Sequence, residues 1–151
     1  MVSASIRWSV YAGSATFIAG AMAVVPLGTI AETLLTVLGI PTGYAIGLLP
    51  GPSAIVGSLV WWAVVERPAA YSYRTGGAAG VLTVLLTVGG WTLLVALVYG
   101  PGVIVIGETL LVVAVALGVT TPVGAGVSLA VMYARRRSRV GSSSESASPA
   151  E

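Results

Sequence analysis

The sequence contains no cysteine, histidine, lysine, aspartate, asparagine or glutamine. Without cysteine, the chain cannot form a disulfide, an iron–sulfur cluster or a thiolate zinc site. Without histidine, it lacks the commonest general base and a usual axial ligand of haem, and a serine–histidine dyad is excluded. We therefore predict a protein that is not an enzyme and that has neither a metal site nor a cofactor.

Charged residues are also scarce. They make up 8 % of the chain, against 56 % hydrophobic residues, whereas soluble domains carry about 25 % charged residues. Apolar runs of about 20 residues, the length of helix that crosses a bilayer, recur along the chain. These features predict an all-α integral membrane protein surrounded by the lipid bilayer. The small net charge of +2 does not favour a nucleic-acid partner.

All seven basic side chains are arginines, and they fall in three groups. The groups are Arg7 before the first apolar run, Arg67 and Arg74 around a polar break, and Arg135, Arg136, Arg137 and Arg139 after the last run. Positive charge in short loops marks the cytoplasmic side of a membrane protein. Two crossings between successive groups predict four spans in the cell membrane, with both termini in the cytoplasm.

The four predicted spans are Trp8–Val25, Ala45–Val65, Ala78–Tyr99 and Thr109–Tyr133. They form one four-helix transmembrane domain over residues 1–140, followed by a polar tail over 141–151 that is predicted to be disordered. The first span also allows a second interpretation, a signal peptide with a cleavage site at 21–23. Cleavage there leaves the remaining topology unchanged.

A short phrase occurs twice in the sequence. Ile30–Leu35 is IAETLL and Ile106–Leu111 is IGETLL, and residues 13–37 match residues 89–113 at 8 of 25 positions. Because each half crosses the membrane twice, the halves have the same orientation. The match predicts a parallel internal duplication of a two-helix hairpin, with halves at about residues 5–68 and 77–139.

The repeated phrase contains two acidic residues, Glu32 and Glu108. In one interpretation each lies in the first turn of a helix, where the dipole favours a carboxylate by roughly 0.3–1 kcal/mol, and Thr29 and Glu32 form a capping box. In the other, both carboxyls lie deeper in the membrane and share a proton or hold a cation, since two close carboxylates do not both ionise readily. The second interpretation makes them candidate residues of a proton- or cation-coupled transporter or channel.

Proline and glycine interrupt the first half of the chain, at Pro26, Gly39–Gly43 and Pro50–Pro52. Proline removes a backbone donor and clashes with the preceding helical turn. We therefore predict a separate short helix at residues 30–38 and a kink near Pro50. Broken backbone at membrane depth needs protein or a wet cavity around it, so this segment is a candidate ion or substrate path.

Small residues recur at four-residue spacing in the fourth predicted span. The two rows are Thr120, Gly124 and Ser128, and Gly126, Ala130 and Ala134. Such rows let helix backbones approach closely, either within the bundle or between chains. The leading functional prediction is a small membrane subunit or scaffold that associates with itself, as a homo-oligomer, or with a larger membrane complex. The coupled transporter or channel is the alternative.

Overall fold

The structure, a computed structural model, describes residues 3–37 and 50–145, and the side chains of 3–23, 36 and 50–138. The helices are α1 (Ala4–Val37), α2 (Gly51–Trp61), α3 (Tyr73–Tyr99) and α4 (Gly107–Glu145). A π-helical turn, Trp62–Glu66, continues α2, and a 3₁₀ turn, Pro101–Val105, joins α3 to α4. No strand occurs within these residues, so the all-α prediction is confirmed for the described chain.

The helices pack in a ring in which each touches two others. α1 packs against α2 and α4, and α3 also packs against α2 and α4. A small buried core lies at one end of the ring and draws residues from all four helices and the π-helical turn. Its members are Ala12, Val60, Trp61, Val65, Ala79 and Met132. We call this the basic end, because α1 and α3 begin there and the arginine-rich part of α4 lies there.

Each hairpin is held together by a close crossing at glycine. In the first, a Cβ on Gly13 of α1 would overlap the carbonyl oxygen of Ala54 in α2, and one on Gly57 would lie 3.3 Å from the Cα of Gly13. In the second, a Cβ on Gly80 would lie 2.7 Å from the carbonyl carbon of Gly124 in α4. Such distances leave no room for a side chain, so glycine lets the two backbones of each hairpin touch.

The glycine crossings relate the two hairpins at a spacing that differs from the predicted one. Gly57 follows Gly13 by 44 residues, and Gly124 follows Gly80 by 44 residues, so the crossings lie 67 residues apart. The same spacing relates Arg7 to Arg74 and Thr16 to Thr83. The predicted spacing of 76 instead matches Gly13 with Gly89, which faces open space. The duplication inferred from the repeated ETLL phrase, at a spacing of 76, therefore stays a prediction beside this second spacing of 67.

The first helix continues through the segment where proline predicted a break. α1 extends to Val37, so the separate helix predicted at 30–38 is wrong. One proline costs about 3 kcal/mol in a helix, which the packing of α1 against two neighbouring helices offsets. Pro50 and Pro52 lie at the start of α2 and do not kink a span. The first N–H groups of a helix have no acceptor within the helix, so a proline in the first turn removes no helical hydrogen bond. Gly39–Gly43 lies outside the described residues.

The last helix is longer than predicted. α4 continues to Glu145, so residues 141–145, predicted to be disordered, are helical, and residues 146–151 lie outside the described chain. Extending an existing helix adds one hydrogen bond for each residue ordered, which offsets the weak helix propensity of this serine-rich segment.

Two helices within the described residues are long and apolar enough to cross a membrane, α3 and the part of α4 up to Ser138. In their most apolar 18-residue windows only 11 % and 6 % of residues are buried. The core helix of a water-soluble protein would be mostly buried, so these two helices differ from that class.

Candidate functional site

The basic end contains a buried ion pair. The Arg135 guanidinium donates from Nε to Glu66 Oε1 at 3.0 Å and from Nη2 to Oε2 at 3.1 Å. The two side chains are only 11 % and 1 % exposed. Charge-assisted bidentate bonds of this kind are roughly twice as strong as hydrogen bonds between neutral groups. It joins the end of the first hairpin to α4 of the second.

Aromatic side chains complete the surroundings of the pair. The Trp61 indole N–H donates to Glu66 Oε1 at 3.4 Å, and the Tyr71 hydroxyl donates to Oε2 at 3.2 Å. The Arg135 guanidinium carbon lies 5.4 Å from the Trp8 ring centre and 5.2 Å from that of Tyr71. The carboxylate is thus satisfied by two donors on each oxygen, and the cation gains contact with two ring faces.

The π-helical turn explains why Trp61 and Glu66 reach the same atom. Five residues of α-helix rotate a side chain about 140° away from its starting face. Here the N–H of Arg67 donates to the carbonyl of Trp62 at 2.8 Å, the i to i+5 bond of a π-helix. This wider turn brings positions 61 and 66 onto one face.

The following reversal returns Tyr71 to the same carboxylate. The Ala70 N–H donates to the Val65 carbonyl at 2.9 Å, and the Ala69 N–H donates to the Glu66 carbonyl at 3.2 Å. With Ala69 at φ 53°, these bonds form a Schellman motif, in which glycine is the usual left-handed residue. The motif reverses the chain within a few residues, and α3 begins at Tyr73.

Sequence reasoning missed this network. Arg135 was used there only as a topology marker, Glu66 was not singled out, and neither was a candidate site residue. The available signal was one glutamate at the end of an apolar helix in a chain with few acids. The sequence could not show which arginine binds it, because the partners are 69 residues apart and three further arginines adjoin Arg135.

Glu32 and Glu108, which were predicted to occupy related positions, lie at different positions within their helices. Glu108 lies in the first turn of α4, as predicted, and is exposed. Glu32 lies in the last two turns of α1, so its predicted helix start and its capping box with Thr29 are wrong. The C-terminal end of a helix disfavours a carboxylate. The Glu32 side chain lies outside the described residues.

Both glutamates lie toward the end of the bundle opposite the basic end. The Arg135 guanidinium lies over the Trp8 ring. These two residues therefore lie near the same height along the packed helices α1 and α4. At 1.5 Å per residue, Glu32 is about 36 Å beyond Trp8 and Glu108 is about 40 Å from Arg135. The two residues therefore lie toward the same end of the bundle, at different positions within their helices.

The first predicted row of small residues is partly used inside the chain. The Thr120 hydroxyl donates to the Ala116 carbonyl of its own helix at 2.6 Å. A Cβ on Gly124 would lie 2.6 Å from Val84 Cγ2, and one on Gly80 would lie 2.7 Å from Ser128 Oγ. Gly124 and Ser128 therefore form the internal crossing of α3 with α4.

The second predicted row faces outward. A Cβ added to Gly126 would meet no neighbouring group within 4 Å, and Ala130 and Ala134 are exposed. Four-residue steps toward the start of α4 add two more exposed positions, Pro122 and Gly118. We call these five residues the open face of α4.

A backbone group makes the open face polar at one point. Pro122 lies inside α4 and has no N–H to donate to the carbonyl of residue i−4. That carbonyl belongs to Gly118, which is exposed. A Cβ added to Gly118 would meet no neighbouring group within 4 Å. The face thus combines small side chains with a carbonyl that lost its helical donor.

Comparison of the chain with known protein families, with curated proteins and with solved structures gives no match. A function for this chain therefore has to follow from its own residues.

Proposed function

We propose that the protein is a non-enzymatic, four-span integral membrane protein that associates with a second copy of itself through the open face of α4. The observation that carries the proposal is this face, because its glycine and alanine positions are exposed while Gly124 and Ser128 of the neighbouring row are buried against α3. Both termini then lie in the cytoplasm.

Membrane insertion is supported by the apolar side chains that the bundle leaves exposed. On α3, Leu93 and Leu97 are 59 % and 74 % exposed, and Leu111 of α4 is 58 % exposed. Soluble monomers rarely expose continuous apolar surfaces of this kind. The 27 residues of α3 span about 40 Å, more than the roughly 30 Å hydrocarbon core.

The distribution of charge and aromatic residues supports one orientation. Trp62 and Tyr73 are exposed at the basic end and Tyr99 is exposed at the end of α3, as in the aromatic belts of membrane proteins. The basic end would face the cytoplasm, because arginine is concentrated in cytoplasmic loops.

Association through the open face of α4 is supported by two features of different kinds. Small residues at four-residue spacing allow close backbone contact between helices in lipid. The Gly118 carbonyl, deprived of its donor by Pro122, would lie in lipid in a monomer, where an unsatisfied polar group is costly. A second α4 would cover this position, and a neighbouring helix is one means by which a backbone group freed by proline is accommodated in a membrane.

A Gly126→Leu variant tests the association. We expect the dimer in liposomes to weaken by at least about tenfold, because about 1.4 kcal/mol of close helix packing is lost. The measurement is energy transfer between donor- and acceptor-labelled protein as the lipid-to-protein ratio increases.

Gly90→Leu is the matched control for this experiment. Gly90 is exposed on α3, and a Cβ added there would also meet no neighbouring group within 4 Å. The Gly90→Leu variant should therefore dimerise like the unmodified chain. Equal energy transfer for Gly126→Leu and the unmodified protein, or a wild-type protein that is monomeric at every dilution, would overturn the proposed association.

The coupled transporter or channel is the second candidate, and the placement of Glu32 and Glu108 toward the same end of the bundle favours it. Apolar carbodiimides modify protonated carboxyls in apolar surroundings. If Glu108 is only an exposed residue of the first turn of α4, it should remain unlabelled at pH 7 in liposomes. Mass spectrometry of both glutamate peptides is the measurement. Labelling of Glu32 or Glu108 at pH 7 that a particular cation blocks would favour the transporter.

A further inference from the structure

The basic end exposes arginines from all four helices or their ends. They are Arg7, Arg67, Arg74, Arg136 and Arg137, and all five are exposed. They lie close to one level, because Arg135 touches both Trp8 and Tyr71 and the Arg136 guanidinium lies 4.9 Å from the Tyr73 ring centre. We call these five side chains the arginine collar.

No carboxylate among the described side chains of the basic end is free to neutralise the collar. Glu66 is buried and already bound by Arg135. Glu145 and Glu151 follow in the sequence, but seven arginines against three glutamates still leave a surplus of four positive charges. The collar therefore gives the basic end a net positive charge that attracts an external anion.

The aromatic residues beside the collar identify the surroundings of that anion. Arg67 lies over the Trp62 ring at 5.8 Å, and Arg136 lies over Tyr73. Both rings are nearly half exposed. Tryptophan and tyrosine with an apolar body and a polar edge concentrate at the headgroup level of a bilayer. This arrangement fits phosphate groups fixed at a membrane surface.

We propose that the arginine collar binds the headgroups of anionic phospholipids in the leaflet around the basic end, an inference that rests on the proposed membrane insertion. Each basic side chain near an anionic surface strengthens attraction about fivefold. The planar guanidinium can form two parallel hydrogen bonds to one phosphate. The buried pair of Glu66 and Arg135 supports the collar by holding the first hairpin to α4 at this level.

The test uses the full chain reconstituted in phosphatidylcholine vesicles with a trace of spin-labelled lipid. Electron paramagnetic resonance measures the motionally restricted fraction of phosphatidylglycerol and of phosphatidylcholine beside the protein. We expect phosphatidylglycerol to associate at least about fivefold more strongly at low salt. The preference should fall in 1 M salt, where the screening length is about 3 Å.

Two matched variants separate charge from fold. Replacing all five collar arginines by glutamine should reduce the preference to within about twofold of phosphatidylcholine, whereas replacing them by lysine should retain most of it. The lysine variant and the salt titration of the unmodified protein decide the question even if the glutamine variant does not fold. Equal association of the two lipids with the unmodified protein overturns the collar proposal, as does a preference that 1 M salt leaves unchanged.

Washing the vesicles at alkaline pH distinguishes this failure from failure of the proposed function. Protein that the wash removes is not inserted, and both proposals are then wrong. Protein that remains in the membrane without a lipid preference contradicts the collar alone. The energy-transfer experiment on Gly126→Leu reports the association independently of either result.

Discussion

Replacing Arg135 by methionine should destabilise the protein by about 3–5 kcal/mol, because the change leaves the Glu66 carboxylate buried without its countercharge. The Glu66 side chain is 1 % exposed, so it has little contact with water that could compensate for the lost guanidinium. The donors from Trp61 and Tyr71 remain, but two neutral donors do not compensate a buried negative charge. Reversible unfolding in mixed micelles, with increasing denaturing detergent, measures the change in unfolding free energy.

The double variant Glu66→Leu/Arg135→Met should be more stable than Arg135→Met alone. Removing both charges eliminates the desolvation cost of the carboxylate, and apolar residues of similar volume often replace a buried pair with little loss. Some loss should persist, because the buried Trp61 indole loses its acceptor, a penalty of about 1–3 kcal/mol.

Arg137→Met is the control for the ion-pair experiment. Arg137 is exposed on the same helix, and a surface substitution usually changes stability by less than about 0.5 kcal/mol. If Arg135→Met and Arg137→Met unfold with equal free energies, the buried pair does not hold the basic end together. A double variant less stable than Arg135→Met would contradict the charge argument in the same assay.

Substituting Gly80 by alanine should destabilise the bundle by about 1–3 kcal/mol, the usual penalty of overpacking. The added methyl would overlap the carbonyl group of Gly124, and backbone cannot rotate away as a flexible side chain can. The two helices of the second hairpin would have to separate. Gly13→Ala should act similarly on the first hairpin, where the methyl would meet the Ala54 carbonyl oxygen.

Gly90→Ala, on the same helix as Gly80, is the matched control and should increase the free energy of unfolding instead of decreasing it. It has open space around it, so alanine adds helix propensity worth up to about 1 kcal/mol without a clash. The same unfolding assay compares the three alanine variants with the unmodified protein. A Gly80→Ala protein as stable as Gly90→Ala would mean that α3 and α4 do not cross at these glycines.

The sequence by itself determined the helical class and where much of the helical structure lies. Apolar runs of helix length, few charges and no strand pattern are local properties, and a helix forms its backbone bonds within a single segment. The end of α3 at Tyr99 and the first-turn position of Glu108 were predicted correctly for this reason. The rows of small residues on the last helix were also visible, because four-residue spacing places residues on one face.

Only the tertiary structure decided how these local elements are used. It assigned Gly124 to the internal crossing and left Gly126 open, although both belong to similar rows. It selected Arg135 from four neighbouring arginines as the partner of Glu66, and it carried α1 through its proline to Val37. Each of these outcomes depends on the surface that a neighbouring helix presents, and that neighbour can be far away along the chain. The spacing of residues within one segment does not show which distant segment they will contact.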